Sequence, residues 1–138
     1  MNLGKIEIGK VIEYKKTFTE DDVLDFAKIS GDNNPIHLDK KYASESIFGQ
    51  RVVHGILVTS MFSKIFGTIY PGIGGIYLSQ FVKYLKPVFI NEQVIAKVTL
   101  INFDYDKKRG TSKTECFKDN KVIVITGEAG ILFPEKFE

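Results

Sequence analysis

The segment Ser30-Gly31-Asp32-Asn33-Asn34-Pro35-Ile36-His37 sets a carboxylate and an imidazole five residues apart, across a turn-forming Asn-Asn-Pro bridge. Asp and His have reference pKa values of about 3.9 and about 6.5, so near neutral pH one is an anionic acceptor and the other takes up or gives up a proton. Together they suit acid–base chemistry. The bridge matters as much as its ends, because Pro35 has no N–H and drives Asn34 away from the helical region. Asp32 and His37 are therefore expected on irregular backbone, free to converge on one point.

The elements around this turn follow from the local pattern. Residues 10–18 are rich in β-branched and aromatic types and read as a first strand. Thr19 follows as an N-cap, with Asp21 and Asp22 in the first helical turn, where anions are favoured, and a short helix runs from there to near Gly31. Asp39 can cap a further short helical piece through Tyr42-Ala43. From Gly55 to Gly67 apolar residues cover most of a helical circumference, which predicts a buried helix. Ser60, Ser63 and Lys64 interrupt it, and it falls short of the roughly 20 apolar residues of a membrane span. Beyond Gly75 the chain is strand-like over residues 76–85, 93–105, 111–117 and 121–133, with alternation clearest at Val94, Ala96, Val98 and Leu100 and at Val122, Val124 and Thr126. Lys118-Asp119-Asn120-Lys121 is expected to form a tight hairpin. One buried helix against at least five mainly antiparallel strands is an α+β domain.

Composition excludes several classes. The 138 residues contain no repeat or linker and are expected to form one domain, 1–138. A balance of 19 basic and 17 acidic residues is too even for a nucleic-acid binder, and Lys107-Lys108-Arg109 reads as a solvated turn between strands. Cys116 is the single cysteine, so neither an internal disulfide nor a multi-cysteine metal site can form. Asp32, His37 and His54 lack a recognisable ligand spacing, and no metal is expected. The first residues, Met1-Asn2-Leu3-Gly4-Lys5, lead into a mixed polar segment and not a signal peptide, so a cytoplasmic location is expected.

Phe26-Ala27-x-x-Ser30-Gly31-Asp32-x-Asn34-Pro35-x-His37, then Val53-His54-Gly55 and a helix carrying Ser63, closely resemble the MaoC-like dehydratases, the (R)-specific enoyl-CoA hydratases. Pro87 to Val94 looks like that family's strand-connecting segment, so the resemblance covers essentially the whole chain. It implies a hot-dog fold, in which an antiparallel sheet wraps one long central helix and two such units pair. It also implies reversible syn addition of water to a trans-2-enoyl thioester, giving an (R)-3-hydroxyacyl thioester. Carried over by position, Asp32 and His37 are the catalytic pair, the N–H of Gly55 is the oxyanion donor, and Asn34 and Ser63 are supporting polar groups. No cofactor is implied, since coenzyme A or phosphopantetheine arrives as part of the substrate. The partners implied are an acyl-CoA or acyl carrier protein thioester and a second copy, in a homodimer or higher homo-oligomer.

The chemistry fits those residues. Two groups holding one water on one face of an alkene can both take a proton from the water and return one to C2. Gly55 opens a helix whose first N–H groups lack intrahelical partners and whose dipole is positive at that end. Each residue also has a plainer reading: Asn34-Pro35 as turn chemistry, Ser63 as a hydroxyl bonded to its own helix, His54 as a structural residue where the chain turns into the helix. Two other functions use the same fold, a non-catalytic acyl-thioester-binding subunit and an acyl thioesterase. The intact Asp32 and His37 argue against the first. The second places its carboxylate on the central helix, and residues 55–67 contain no Asp or Glu.

Overall fold

The computed structural model describes residues 5–119 and 121–137. β1 (Val11–Thr17) alternates as expected, turning Ile12 and Tyr14 towards the core. Thr19 then caps α1 (Glu20–Ser30) through a reciprocal capping box: its hydroxyl accepts the Asp22 N–H at 3.2 Å while the Asp22 carboxylate accepts the Thr19 N–H at 3.0 Å. Gly31 ends the helix in the left-handed region, with φ of 81°, a conformation glycine adopts without a Cβ penalty. Two short helices follow, α2 (Pro35–Leu38) and α3 (Lys40–Ser44), and then the long helix α4 (Gly55–Thr68).

β2 (Ile76–Tyr84), β3 (Gln93–Asp104), β4 (Arg109–Lys118) and β5 (Val122–Leu132) join β1 in one sheet of order β1-β3-β4-β5-β2, with every neighbouring pair antiparallel. α4 packs against β1 and β2, the two edges of that sheet, as well as against β3. A helix that reaches both edges of a five-stranded sheet has the sheet curled around it, which is the hot-dog arrangement. Val58, Met61, Phe62, Ile65 and Phe66 enter a core completed from the sheet by Val94, Ala96, Val98 and Leu100 of β3 and Ile125, Ala129 and Ile131 of β5. Burial of α4 follows one side. Ile56, Ser60, Ser63 and Lys64 lie exposed on the other within a single chain, so its apolar circumference is not all core.

The expected alternation of Val122, Val124 and Thr126 does not hold: Val122 and Ile123 are both 38% exposed, and Val124 and Ile125 are both buried. Cys116 pairs with Ile125 while Phe117 pairs with Ile123, so a bulge at Val124 rephases β5 and makes Ile125, not Thr126, the next buried residue. The carbonyl of Val124 is thereby free to accept the Leu85 N–H at 2.8 Å, which hangs the segment after β2 beside the first turn of α4. That segment is held from its other end too. The Lys118 ammonium donates to the Pro87 carbonyl at 2.6 Å and to Glu92 at 3.0 Å, and Glu92 accepts the Phe89 N–H at 2.7 Å. Of the hairpin expected at residues 118–121, Asn120 lies outside the described residues.

One glycine controls the docking of edge strand β2. Gly127 pairs with Val82, and a Cβ there would stand 1.9 Å from the Phe81 carbonyl oxygen. Gly127→Ala is expected to lower unfolding stability by about 3 kcal/mol, the upper range for overpacking, as read by urea denaturation. A loss below about 0.5 kcal/mol, the level of a neutral surface change, would contradict this packing.

Candidate active site

The turn after α1 is built from local hydrogen bonds. Ser30 Oγ accepts the Asp32 N–H at 3.0 Å, Asp32 Oδ1 accepts the Asn34 N–H at 3.2 Å, and Asn34 Oδ1 accepts the Ile36 N–H at 3.0 Å as the cap of α2. Asn34 thus supports the site in two ways: its side chain starts the helix that carries His37, and its backbone orients the Asp32 carboxylate. One oxygen of that carboxylate is engaged by the turn. The other, Oδ2, faces His37.

Residues 51–54 clamp this turn from behind. His37 Nδ1–H donates to the Val52 carbonyl at 2.8 Å, the Val52 N–H donates to the Ile36 carbonyl at 3.2 Å, and Arg51 Nε–H donates to the His37 carbonyl at 2.8 Å. Arg51 is itself fixed by Glu20 of α1 at 2.7 Å. His54 Nε2–H donates to the Asp32 carbonyl at 3.0 Å, and its ring stacks on that of His37, with centroids 3.7 Å apart and planes 24° from parallel. His54 directly precedes α4 but makes no side-chain cap bond to it. His54 stands at the entry to α4, its carbonyl accepting the Leu57 and Val58 N–H groups, and its ring adds a contact to the Asp32–His37 turn.

A carbonyl oxygen can only accept, so His37 carries its proton on Nδ1 and presents a bare Nε2 to Asp32 Oδ2 at 3.8 Å. That gap is too long for a direct hydrogen bond and short enough for one water, at about 2.8 Å from each, to reach both. Burial holds the His37 pKa below its ordinary value; the Val52 hydrogen bond opposes this, the nearby His54 adds to it, and the Asp32 charge opposes it. His37 is consequently a neutral acceptor near pH 7.

Asp32, His37 and Gly55 line one cavity of about 460 Å³, together with His54. Its walls are largely apolar, from Phe48, Ile56, Val58, Tyr84, Leu85 and Ile125, and Asp32 is the only carboxylate among them. The α4 N-terminus opens there: among the described residues no carbonyl or side chain accepts the Gly55 N–H. Glycine is needed at this position because a Cβ would come within 2.8 Å of the Tyr84 ring, whose hydroxyl meets Thr59 Oγ1 at 3.1 Å. The room left by the missing side chain is thus filled by the Tyr84 ring. Ser63 is not at this cavity: it lies exposed two turns further along α4. The large side chains Phe62, Phe66, Tyr77 and Phe89 are absent from its lining; the first two belong to the core.

The donor atoms of Asp32, His37 and His54 lie within 4.8 Å of one another. Their arrangement does not suit a metal ion. Imidazole lone pairs lie in the ring plane, and an ion between two rings stacked 3.7 Å apart would sit far out of both planes.

Residues 5–124 match the family described as MaoC like domain, and the chain belongs to that family. It is 36% identical over 134 residues to an (R)-specific enoyl-CoA hydratase of Aeromonas caviae, covering 97% of this chain and 100% of that protein. It is also 36% identical over 131 residues to a mitochondrial 3-hydroxyacyl-acyl-carrier-protein dehydratase of Solanum lycopersicum, covering 94% and 78%. The solved structure of the (R)-hydratase from A. caviae involved in PHA biosynthesis superposes with a TM-score of 0.91 over 94% of this chain and 98% of the other, at 36% identity.

With two histidines in the chain, His37 can be followed by NMR. Its titration midpoint is expected below the ordinary 6.5, and Asp32→Asn is expected to move it lower still, because the charge that favours the imidazolium is removed. Since the unfolded chain then protonates more readily, the stability contributed by neutral His37 is present above about 6.5 and is lost as the pH falls through the lower folded value. A native midpoint above 6.5 would contradict this account of the site.

Proposed function

We propose that this protein interconverts trans-2-enoyl and (R)-3-hydroxyacyl thioesters, of coenzyme A or acyl carrier protein, by syn addition of a single water held between Asp32 and His37. The chain is a hydratase/dehydratase, a carbon–oxygen lyase. The observation that carries the site assignment is the 3.8 Å gap between Asp32 Oδ2 and His37 Nε2, two acceptors facing each other on the wall that also holds the start of α4. Both acceptors can bind the hydrogens of one water and turn its oxygen towards C3. His37 enters without a proton on Nε2, so the proton delivered to C2 is the one the pair has just taken from the water. The pair ends as it began, with H and OH added to one face. Because the two groups share that water, the proton belongs to the pair and not to either member.

As the C3–O bond forms, negative charge moves to the thioester carbonyl. The uncapped Gly55 N–H is suited to receive it, and a preorganised donor of this kind contributes roughly 2.7–4 kcal/mol. Water is the only other reactant, and the reading calls for no resident cofactor. A cytoplasmic location belongs to the same reading, supported by a lone, buried cysteine; none of the described helices is long and apolar enough to cross a membrane.

The second copy belongs to this reading as well. β2 is a sheet edge whose Ile76, Leu78, Phe81 and Tyr84 are exposed, Phe81 at 65%. An apolar edge strand left open is an aggregation hazard, and antiparallel pairing of two β2 edges about a two-fold axis closes it. Thr59 and Phe66, one turn to either side of Ser63, touch Tyr84 and Tyr77 of β2, so Ser63 stands beside that edge. A supporting role for Ser63 is then exercised across the pair, not within its own chain.

With crotonyl-CoA the protein is expected to consume enoyl absorbance and form (R)-3-hydroxybutyryl-CoA without releasing thiol. Asp32→Asn and His37→Ala are expected to lose activity by about 10²–10⁴-fold, the usual contribution of an acid–base group, while keeping the native circular dichroism. Full activity in both variants would overturn the catalytic assignment, and thiol release without hydration would make the protein a thioesterase. In light scattering the native chain is expected to be a dimer and Phe81→Glu a monomer; a native monomer at tens of micromolar would reject the β2 pairing.

A further inference from the structure

His54 is the most buried polar side chain at the site, with 1% of its surface exposed, yet its ring makes no hydrogen bond to the Asp32 carboxylate, to His37 or to a helix N–H. Its contacts go to the catalytic turn and the helix before it: Nε2–H to the Asp32 carbonyl at 3.0 Å, its face against His37 at 3.7 Å, and a T-shaped contact with Phe26 of α1 at 4.9 Å. Nδ1 is buried with no hydrogen-bond partner among the described residues. A buried polar atom without a partner is costly, and a phenyl ring would fill the same space without that cost. What phenylalanine would lack is the Nε2–H on Asp32.

We propose that His54 is a positioning residue, which through its hydrogen bond to the Asp32 backbone and its stack on His37 sets the distance between the two catalytic groups and keeps the His37 ring ready to accept. This inference rests on the hydratase reading above and adds to it a residue that meets no reacting atom. Each contact fixes a different partner. The hydrogen bond restrains the backbone that carries the Asp32 carboxylate, and the stack restrains the remaining freedom of a ring already tethered at Nδ1 by Val52. A displacement of about 1 Å between reacting groups can cost about 10²-fold in rate, so losing either restraint is expected to show in turnover.

The electrostatic consequence is separate from the geometric one. Four elements bring charged or titratable groups to the surroundings of His37: Asp32 from the turn after α1, His54 from the residue before α4, Arg51 on the His37 carbonyl with its charge paired to Glu20 of α1, and Lys86 from the segment after β2 on the cavity wall. Of these, His54 disfavours charge on His37 and Asp32 favours it. Replacing His54 by a side chain that cannot compete with His37 for a proton is therefore expected to raise the His37 midpoint towards its ordinary value.

The test compares two substitutions in the full-length chain. His54→Phe keeps a stacked ring and loses the donor; His54→Gln keeps an amide donor near the Nε2 position and loses the stack. With crotonyl-CoA, kcat is expected to fall by about 10–100-fold in His54→Phe, with KM within threefold of the native value, and His54→Gln is expected to recover at least part of that loss. In both variants the His37 NMR midpoint, and with it the acid limb of kcat against pH, is expected to move up. A merely structural residue would change stability and leave that midpoint in place. Native kcat and an unmoved midpoint in a folded variant would overturn the proposal, whereas an inactive native protein would instead overturn the hydratase reading. Should neither variant fold, the native protein decides: long-range 1H–15N spectra are expected to show His54 protonated on Nε2 and His37 on Nδ1, and a proton on His54 Nδ1 in place of Nε2 would reject the contact to Asp32.

Discussion

The hydrogen bond from His37 Nδ1 to the Val52 carbonyl is the constraint on which the site depends. At 2.8 Å it fixes the tautomer, aims Nε2 at Asp32, and ties the turn after α1 to the segment that leads into α4. It joins the two parts of the cavity wall, one carrying Asp32 and His37 and the other the open helix start, together with the Val52–Ile36, Arg51–His37 and His54–Asp32 hydrogen bonds. Arg51 and His54 act on the same turn from either side of Val52, each through a backbone carbonyl. Backbone anchors of this kind hold a side chain in place without using its reactive atoms.

The sheet provides the counter-wall. The bulge at Val124 presents its carbonyl to the segment after β2, and the Lys118–Glu92 pair fixes the stretch beyond, so Leu85, Lys86 and Pro87 stand at a set distance from Gly55. Tyr84 closes the space over Gly55 and is braced by Thr59. A curled sheet and a central helix therefore do more than bury a core: their meeting edge forms the cavity wall to which the proposed function assigns the acyl thioester.

Much of this was legible from residue types because the signals are local. The N-cap at Thr19, the helix end at Gly31 and the strand alternation of β3 all follow from neighbours a few residues apart, whereas His37, expected on irregular backbone, lies in the short helix α2 that Asn34 caps. What escaped was tertiary. The stack of His54 on His37 joins residues from separate elements, and nothing in Val53-His54-Gly55 distinguishes a ring that turns back onto a distant loop from one that serves its own helix. The bulge in β5 is a property of pairing, invisible in the alternation of Val122, Val124 and Thr126. Nor does residue order tell which large side chains line the cavity: α4 turns Phe62 and Phe66 to the core and offers Ile56 and Val58 to the cavity. Ser63 was placed at the site by resemblance; in a single chain it lies exposed on α4, away from the cavity.

The central claim is that Asp32 and His37 hold one water against one face of the alkene. Hydration in D2O tests it most directly, by determining the relative configuration of the new C2–D and C3–O bonds in the 3-hydroxyacyl product. One shared water predicts both bonds on the same face in essentially every product molecule. Opposite faces, or a mixture at C2 in product analysed at early turnover, would contradict it.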